Sequence, residues 1–322
     1  MELISFPRYG LDGKSYTQEE IEKEYVKGLV AEISNRLVKI STISCREQKC
    51  IRLLNNRLEY ILLAKPAVLE RIKKWSDCVG LFGKDGDPRT DEFKKEILTA
   101  FDYKNYRDAH LVKHAERLNV KTCCYCNLNY TLLIEEKRAR SVNMKALMQF
   151  DHFFDKDLYP HLSMSMYNLI PCCATCNQGK PRKGDLPIHF NPYYASLFEL
   201  YQFKIKNPLE LYFGVTHPEK IDVECVPTSS KDITACNTWF HLPAKYSVHK
   251  DIIKEVFDKA KQYPYYANSS NFDFMGGDAH YLLRLLLGVY PDLKDMVKRP
   301  MSKFITDMWK QALVYHGKSM VP

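Results

Sequence analysis

Apolar residues recur every fourth position near the N-terminus, where Ile21, Tyr25, Leu29, Ile33 and Leu37 make a single stripe. Thr17 stands where a helix N-cap belongs, and Glu19 and Glu20 fall in the first turn, where the helix dipole favours negative charge. The segment therefore reads as helix. A second helical stretch runs from about Ile51 to Ser76 and is interrupted at Pro66, because proline lacks the backbone donor and clashes inside a helix. The turn-rich run GLFGKDGDPRT, with Gly83, Gly86 and Pro88, marks a boundary. Beyond it a helix is expected from about Asp91 to Leu118, ending in basic residues that lead into a cysteine pair.

The middle of the chain changes character. Tyr130 to Ile134 is aromatic and β-branched enough for a strand, with a charged turn at EEKRAR, and the segment from Pro208 alternates well enough for a short hairpin or two. The last third returns to helices, from about Lys250 to Lys261, Ala279 to Val289 and Ser302 to Val314. The pattern predicts an α+β, mostly helical protein in three parts. Residues 1–84 form an N-terminal helical region that offers a docking surface, 85–200 a central domain, and 201–322 a C-terminal region of hairpins and helices.

Composition alters this picture only slightly. The 322 residues carry a formal net charge of +8, which is compatible with a nucleic-acid partner without requiring one. No stretch approaches the apolar length needed to span a bilayer, and the opening MELISFPRYGLDG lacks a basic start followed by an apolar run. The 11 cysteines are odd in number, so reduced thiols with some metal ligation fit better than a disulfide framework. A cytoplasmic protein with no membrane partner is expected.

The chemistry concentrates between two cysteine pairs. Cys123-x-x-Cys126 and Cys173-x-x-Cys176 have the spacing of two zinc knuckles, each able to chelate from one tight turn. Between them lie Asp151-His152 and Asn168, and Asn177 follows the last cysteine. Hydrolysing a phosphodiester needs a base for water and a cation on the phosphate oxygens. A histidine supplies the first, and a carboxylate with an amide oxygen suits magnesium or manganese. These parts are expected on a small ββα unit: Asp151-His152 ending one strand, Asn168 opening the second, and Asn177 on the first turn of the helix. A unit this small has little core, so a separate structural zinc would hold it in register.

The order Cys-x-Tyr-Cys, Asp-His, Asn-Leu-Ile-Pro, Cys-x-x-Cys-Asn and Lys180 resembles the HNH (ββα-metal) endonucleases, over about residues 121–194. The resemblance implies His152 as general base, Asp151 and Asn177 as ligands of the catalytic ion, and Asn168 as the brace that orients His152. Many members carry histidine where this chain has Asn177. The wider wording, through HFNPYY, is similar to nucleases of bacterial anti-phage defence operons, the Septu systems and those attached to retrons. That similarity implies an ABC-type ATPase partner for the helical flanks.

Two blander expectations stand beside these. Lys180, Arg182 and Lys183 form a basic run that either contacts the phosphate backbone of DNA, with RNA the weaker candidate, or is an ordinary solvated face. His161 and His189 are read as phosphate or metal contacts or as plain loop histidines, with His189 the stronger candidate. Cys124 and Cys172 adjoin the pairs as spectators. The competing class is a zinc-stabilised module that binds nucleic acid or protein without cutting it.

Overall fold

The computed structural model describes residues 2–84, 86–138, 141–181, 186–214, 217–263 and 279–314. The fold is α+β, with helices dominant and, among the described residues, only two-stranded antiparallel sheets. No helix among them is long and apolar enough to cross a membrane. The chain forms two compact units, one of residues 2–120 and 131–195, the other chiefly of 121–130 and 196–322.

In the first unit a short hairpin, β1 (Arg8–Tyr9) and β2 (Ser15–Tyr16), precedes α1 (Gln18–Val26). The expected cap is present: the Thr17 hydroxyl accepts from the Glu20 amide, and the Glu20 carboxylate accepts from the Thr17 amide. All five residues of the four-spaced stripe are buried. They lie on two helices, however, because Gly28 takes φ +77° and restarts the chain as α2 (Leu29–Leu37). The second stretch likewise resolves into α3 (Cys45–Asn56), α4 (Leu58–Leu62) and α5 (Pro66–Cys78), with Pro66 in the first turn, where its missing donor costs nothing. Asp87 caps α6 (Pro88–Phe101), and left-handed Asp102 and Asn119 delimit α7 (Tyr103–Tyr106) and α8 (His110–Leu118).

Next comes a long ribbon, β3 (Leu132–Arg138) against β4 (Ser141–Leu147). Here the expected turn at EEKRAR is corrected: Glu135 to Arg138 are strand residues that pair with Ser141 to Met144. β5 (Gln149–His152) then pairs with β6 (Leu169–Cys172), and α9 (Ala174–Gly179) follows directly, giving the strand–strand–helix order expected of the central motif. The N-terminal helices form the bed beneath the loop joining β5 and β6. Tyr25 donates to the Met164 carbonyl at 2.9 Å, Ser165 donates to the Ile61 carbonyl at 2.8 Å, and Gln18 donates to the Tyr167 hydroxyl at 2.8 Å.

The second unit is built around α15 (Ser302–Val314). Its Asp307 accepts the Phe203 amide at 2.9 Å and pairs with Lys303 at 2.9 Å, while Gln311 bridges the Ile205 amide and the Phe203 carbonyl. This fixes β7 (Tyr201–Ile205), which pairs with β8 (Val223–Pro227). The hairpin expected from Pro208 is corrected: Pro208–Tyr212 is a helix, α10, lying between the two strands. Helices α11 (Thr234–Thr238), α12 (Leu242–Ser247), α13 (Lys250–Gln262) and α14 (Ala279–Leu287) complete it.

Residues 121–130 belong to this second unit for a local reason. Asn127, left-handed at φ 51°, donates from its amide to the Thr122 hydroxyl and to the Met296 and Arg299 carbonyls. Its side-chain oxygen accepts the Lys303 amide at 3.0 Å. Tyr125 stacks on Phe240 at 4.5 Å, and Tyr246 donates to the Cys126 carbonyl at 2.6 Å. The division thus differs from three consecutive segments: a ten-residue piece joins the C-terminal region.

Replacing Asn127 should be costly, because each buried polar group left unpaired costs about 1–3 kcal/mol. Asn127→Gly should destabilise by roughly 3 kcal/mol in urea unfolding. Asn127→Ala should cost about 1 kcal/mol more, since alanine also resists the left-handed backbone. Near-wild-type stability in both variants would contradict this account of the segment.

Candidate functional site

The site grows from the pairing of β5 with β6, in which Asp151 faces Ile170 and His152 faces Leu169 across the ladder. Side chains alternate along a strand, so Gln149 and Asp151 share one side and Phe150 and His152 the other. The loop after His152 returns through Asn168, whose amide is fully buried. Its oxygen accepts the Phe154 amide at 2.8 Å, and its nitrogen donates to the Phe154 carbonyl at 3.1 Å and the Leu162 carbonyl at 2.9 Å. The Ser163 carbonyl is thereby set 3.0 Å from Nε2 of His152. A carbonyl only accepts, so Nε2 carries the hydrogen and Nδ1 keeps the lone pair.

Burial pushes the His152 imidazole down to about 3, with the Lys156 and Lys180 charges adding to the effect and the Ser163 carbonyl opposing it. The ring is therefore neutral at physiological pH. Tyr103 packs edge-on against it at 4.4 Å and donates to the Phe150 carbonyl.

On the other side of β5, α9 supplies two partners. Asn177 donates from Nδ2 to Gln149 at 2.7 Å, a bond that does not use its side-chain oxygen. Lys180, at the end of α9, is buried on Asp151. Its ammonium lies 3.1 and 3.2 Å from the carboxylate oxygens, 2.6 Å from the His152 carbonyl and 2.8 Å from the Phe153 carbonyl. Lys180, read either as a phosphate contact or as part of a solvated face, has its charge paired within the site.

His152 and Asn177 line one cleft of about 620 Å³. Its walls include Tyr103 and Arg107 around α7, Lys145 and Met144 from β4, and Lys156 from the loop. Arg107, Lys145 and Lys156 are the cations that reach this cleft, and the sequence did not single them out. Their only signal is charge on segments that the fold, not the spacing, brings together.

The cysteine pairs behave as their spacing implies. The sulfurs of Cys123, Cys126, Cys173 and Cys176 all lie within 4.8 Å of one another, and all four residues are buried. Four sulfurs at tetrahedral Zn–S distances of ~2.3 Å stand somewhat under 4 Å apart, so this set fits a zinc ion with little adjustment. Cys124 and Cys172 are buried beside the set without joining it.

Other expected residues fall elsewhere. Arg182 and Lys183 lie outside the described residues. His189 is half-buried in a 3₁₀ turn with its ring 5.1 Å from Phe190, and it is not among the residues lining the cleft. His161, read either as a phosphate or metal contact or as a plain loop histidine, is buried against Phe82 and Tyr159, and neither ring nitrogen has a hydrogen-bond partner.

Comparison with known proteins finds no matching family model, no matching curated protein and no matching solved structure. The functional reading therefore rests on the site itself.

Two outcomes follow. The purified chain should hold zinc, and Cys126→Ser or Cys176→Ser should lower zinc content, read by elemental analysis, together with thermal stability; loss of neither would remove the zinc assignment. Separately, burial pushes the His161 and His114 imidazoles down to about 3. Below an unfolded value near 6.5 the unfolded chain takes protons that the folded chain refuses, so stability falls with pH by about 1 kcal/mol per unit per imidazole. Unfolding free energy should thus drop between pH 7 and pH 5, and His161→Phe should flatten that slope. An unchanged slope would contradict it.

Proposed function

We propose that this chain is a metal-dependent endonuclease of the HNH (ββα-metal) type that hydrolyses DNA phosphodiester bonds in the cytoplasm. The observation that carries the reading is His152 on β5, neutral and held by the Ser163 carbonyl, lining one cleft with Asn177 of the helix that follows β6. In this mechanism Nδ1 of His152 takes a proton from the attacking water. The burial that keeps the lone pair available also makes this imidazole a weaker base than a free one. Asn168 keeps the ring in one tautomer by holding the loop that carries Ser163.

On this reading the Asp151 carboxylate and the Asn177 amide oxygen would be the ligands of a hard cation, once Lys180 yields Asp151. A magnesium or manganese ion held there would supply positive charge to the phosphate and leaving oxygens. Arg107, Lys145 and Lys156, on the cleft walls, are the groups that would hold the flanking phosphates. The zinc is structural and takes no part in the reaction. By the same resemblance to defence-operon nucleases, an ABC-type ATPase is the expected partner and regulator.

One observation favours a second reading, a zinc-stabilised binding module without cleavage: Asp151 already has a cation in Lys180. The deciding experiment is plasmid cleavage by the purified chain with magnesium or manganese, alone and with a co-encoded ATPase. On the nuclease reading His152→Ala lowers the rate by about 10²–10⁴-fold, the usual contribution of a positioned base, while DNA binding holds and the chain stays folded at the assay temperature. Cleavage at the wild-type rate in His152→Ala would sink the mechanism. No cleavage under any condition, with DNA binding intact, would favour the binding module.

A further inference from the structure

A second cavity lies on the far side of α8 from the cleft. Four of its residues, His110, Lys113, His114 and Arg117, stand at i, i+3, i+4 and i+7 on α8, a spacing that puts them on one helix face. Opposite them α1 contributes Ile21, Glu24 and Tyr25, with Lys27 just beyond its end. The space between them is about 280 Å³.

Five of the eight lining residues carry side-chain nitrogen. Lys27, Lys113 and Arg117 carry charge, and Glu24 is the one carboxylate among them. Glu24 lies 3.6 Å from Arg117 and 3.8 Å from Lys27, so it offsets part of that charge and leaves a surplus of two positive charges (three cations less one anion).

The histidines give the independent signal. His114 is only 2% exposed, yet its Nε2 has no hydrogen-bond partner, and Nε2 of His110 is likewise buried and unpartnered. Buried polar atoms are nearly always paired, so the unpaired Nε2 of His114, a residue of the cavity wall, calls for a missing partner. The Tyr25 carbonyl takes a hydrogen bond from His110 but leaves His114 unpaired. The Tyr25 ring meets both imidazoles edge-on, at 5.0 and 4.9 Å, and its hydroxyl is committed to the Met164 carbonyl.

We propose that this cavity is a binding site for a phosphate monoester. A phosphate monoester brings close to two negative charges and three acceptor oxygens, which match the charge surplus and the cationic donors of the lining. The volume exceeds that of a bare phosphate and sits near the lower end for small-ligand pockets, so there is room for part of the esterified group. Two sources share this chemistry: a small phosphorylated metabolite and the 5′-phosphate end of a nucleic-acid strand. The site also has a route to the cleft. His114 stacks on Phe150 at 6.3 Å, and Phe150 is the residue before Asp151 on β5 and itself lines the cleft. The inference does not depend on the nuclease reading, since it concerns binding alone.

The test is calorimetric titration of the full chain with inorganic phosphate and with ribose 5-phosphate, at constant ionic strength set by chloride. Saturable binding is expected, at least tenfold weaker in Lys113→Glu and in His114→Phe. Lys113 is exposed, so its variant keeps the core intact if packing at His114 suffers. Competition by a 5′-phosphorylated oligonucleotide but not by its 5′-hydroxyl counterpart would assign the phosphate to a strand end, and no competition would assign it to a small ester. Absence of saturable binding, or equal affinity in both variants, would overturn the proposal.

Discussion

Asn168 is a fully buried amide with its hydrogen-bonding capacity turned inward on its own loop. A long connection between two four-residue strands would ordinarily sample many conformations, and ordering it carries a cost of about 1–2 kcal/mol per residue. The three bonds from Asn168 tie the first turn of the loop to its last. The bonds from Tyr25 and Ser165 then lash its crest to the N-terminal helices. Only with the loop closed does the Ser163 carbonyl stand where it can hold the His152 ring. The placement of one imidazole thus depends on packing that reaches back to the first helix, which is why the N-terminal region is part of the same unit rather than an appendage.

Charge in the site follows from the same enclosure. Burial disfavours an imidazolium, so His152 stays neutral, and the nearby Lys156 and Lys180 reinforce that. The same enclosure would make a lone carboxylate costly, and Asp151 is accordingly met by the Lys180 ammonium. The two conditions oppose each other in sign but have one cause: a dry strand pair leaves no solvent to compensate a charge. Lys180 also caps the carbonyls of His152 and Phe153, so it anchors the start of the loop as well as the carboxylate. On the nuclease reading, a catalytic cation has to share Asp151 with this ammonium or displace it.

The sequence made the cysteine set more legible than the architecture. Cysteine spacing depends on short-range geometry, and the set Cys123, Cys126, Cys173 and Cys176 came together as that spacing implies. The order strand, strand, helix around Asp151, Asn168 and Asn177 was readable for the same reason. Helix breaks were harder. The stripe from Ile21 to Leu37 keeps its period across Gly28, because a single left-handed residue can restart a helix with the apolar face still inward. Assembly of segments remote in sequence was not legible at all. Nothing in CCYCN says that Asn127 will bind carbonyls near residue 296, and nothing in Lys145 or Arg107 says that they will face His152. Such contacts are fixed by tertiary packing, which overrides local pattern.

Helix α8 shows how far a short element can be loaded once both its faces are occupied. Its nine residues bury Leu111, Val112, Ala115 and Leu118, and left-handed Asn119 ends it cleanly. Val112 lines the cleft of His152, while the face carrying His110, Lys113, His114 and Arg117 lines the donor-rich cavity. Packed interiors transmit displacement, because side chains there have few alternative positions. A ligand that paired the orphaned nitrogen of His114 would therefore act on the ring stacked against Phe150, one strand position from Asp151. The proposed phosphate site and the proposed catalytic site would then be coupled through a single aromatic contact, with α8 as the wall common to both.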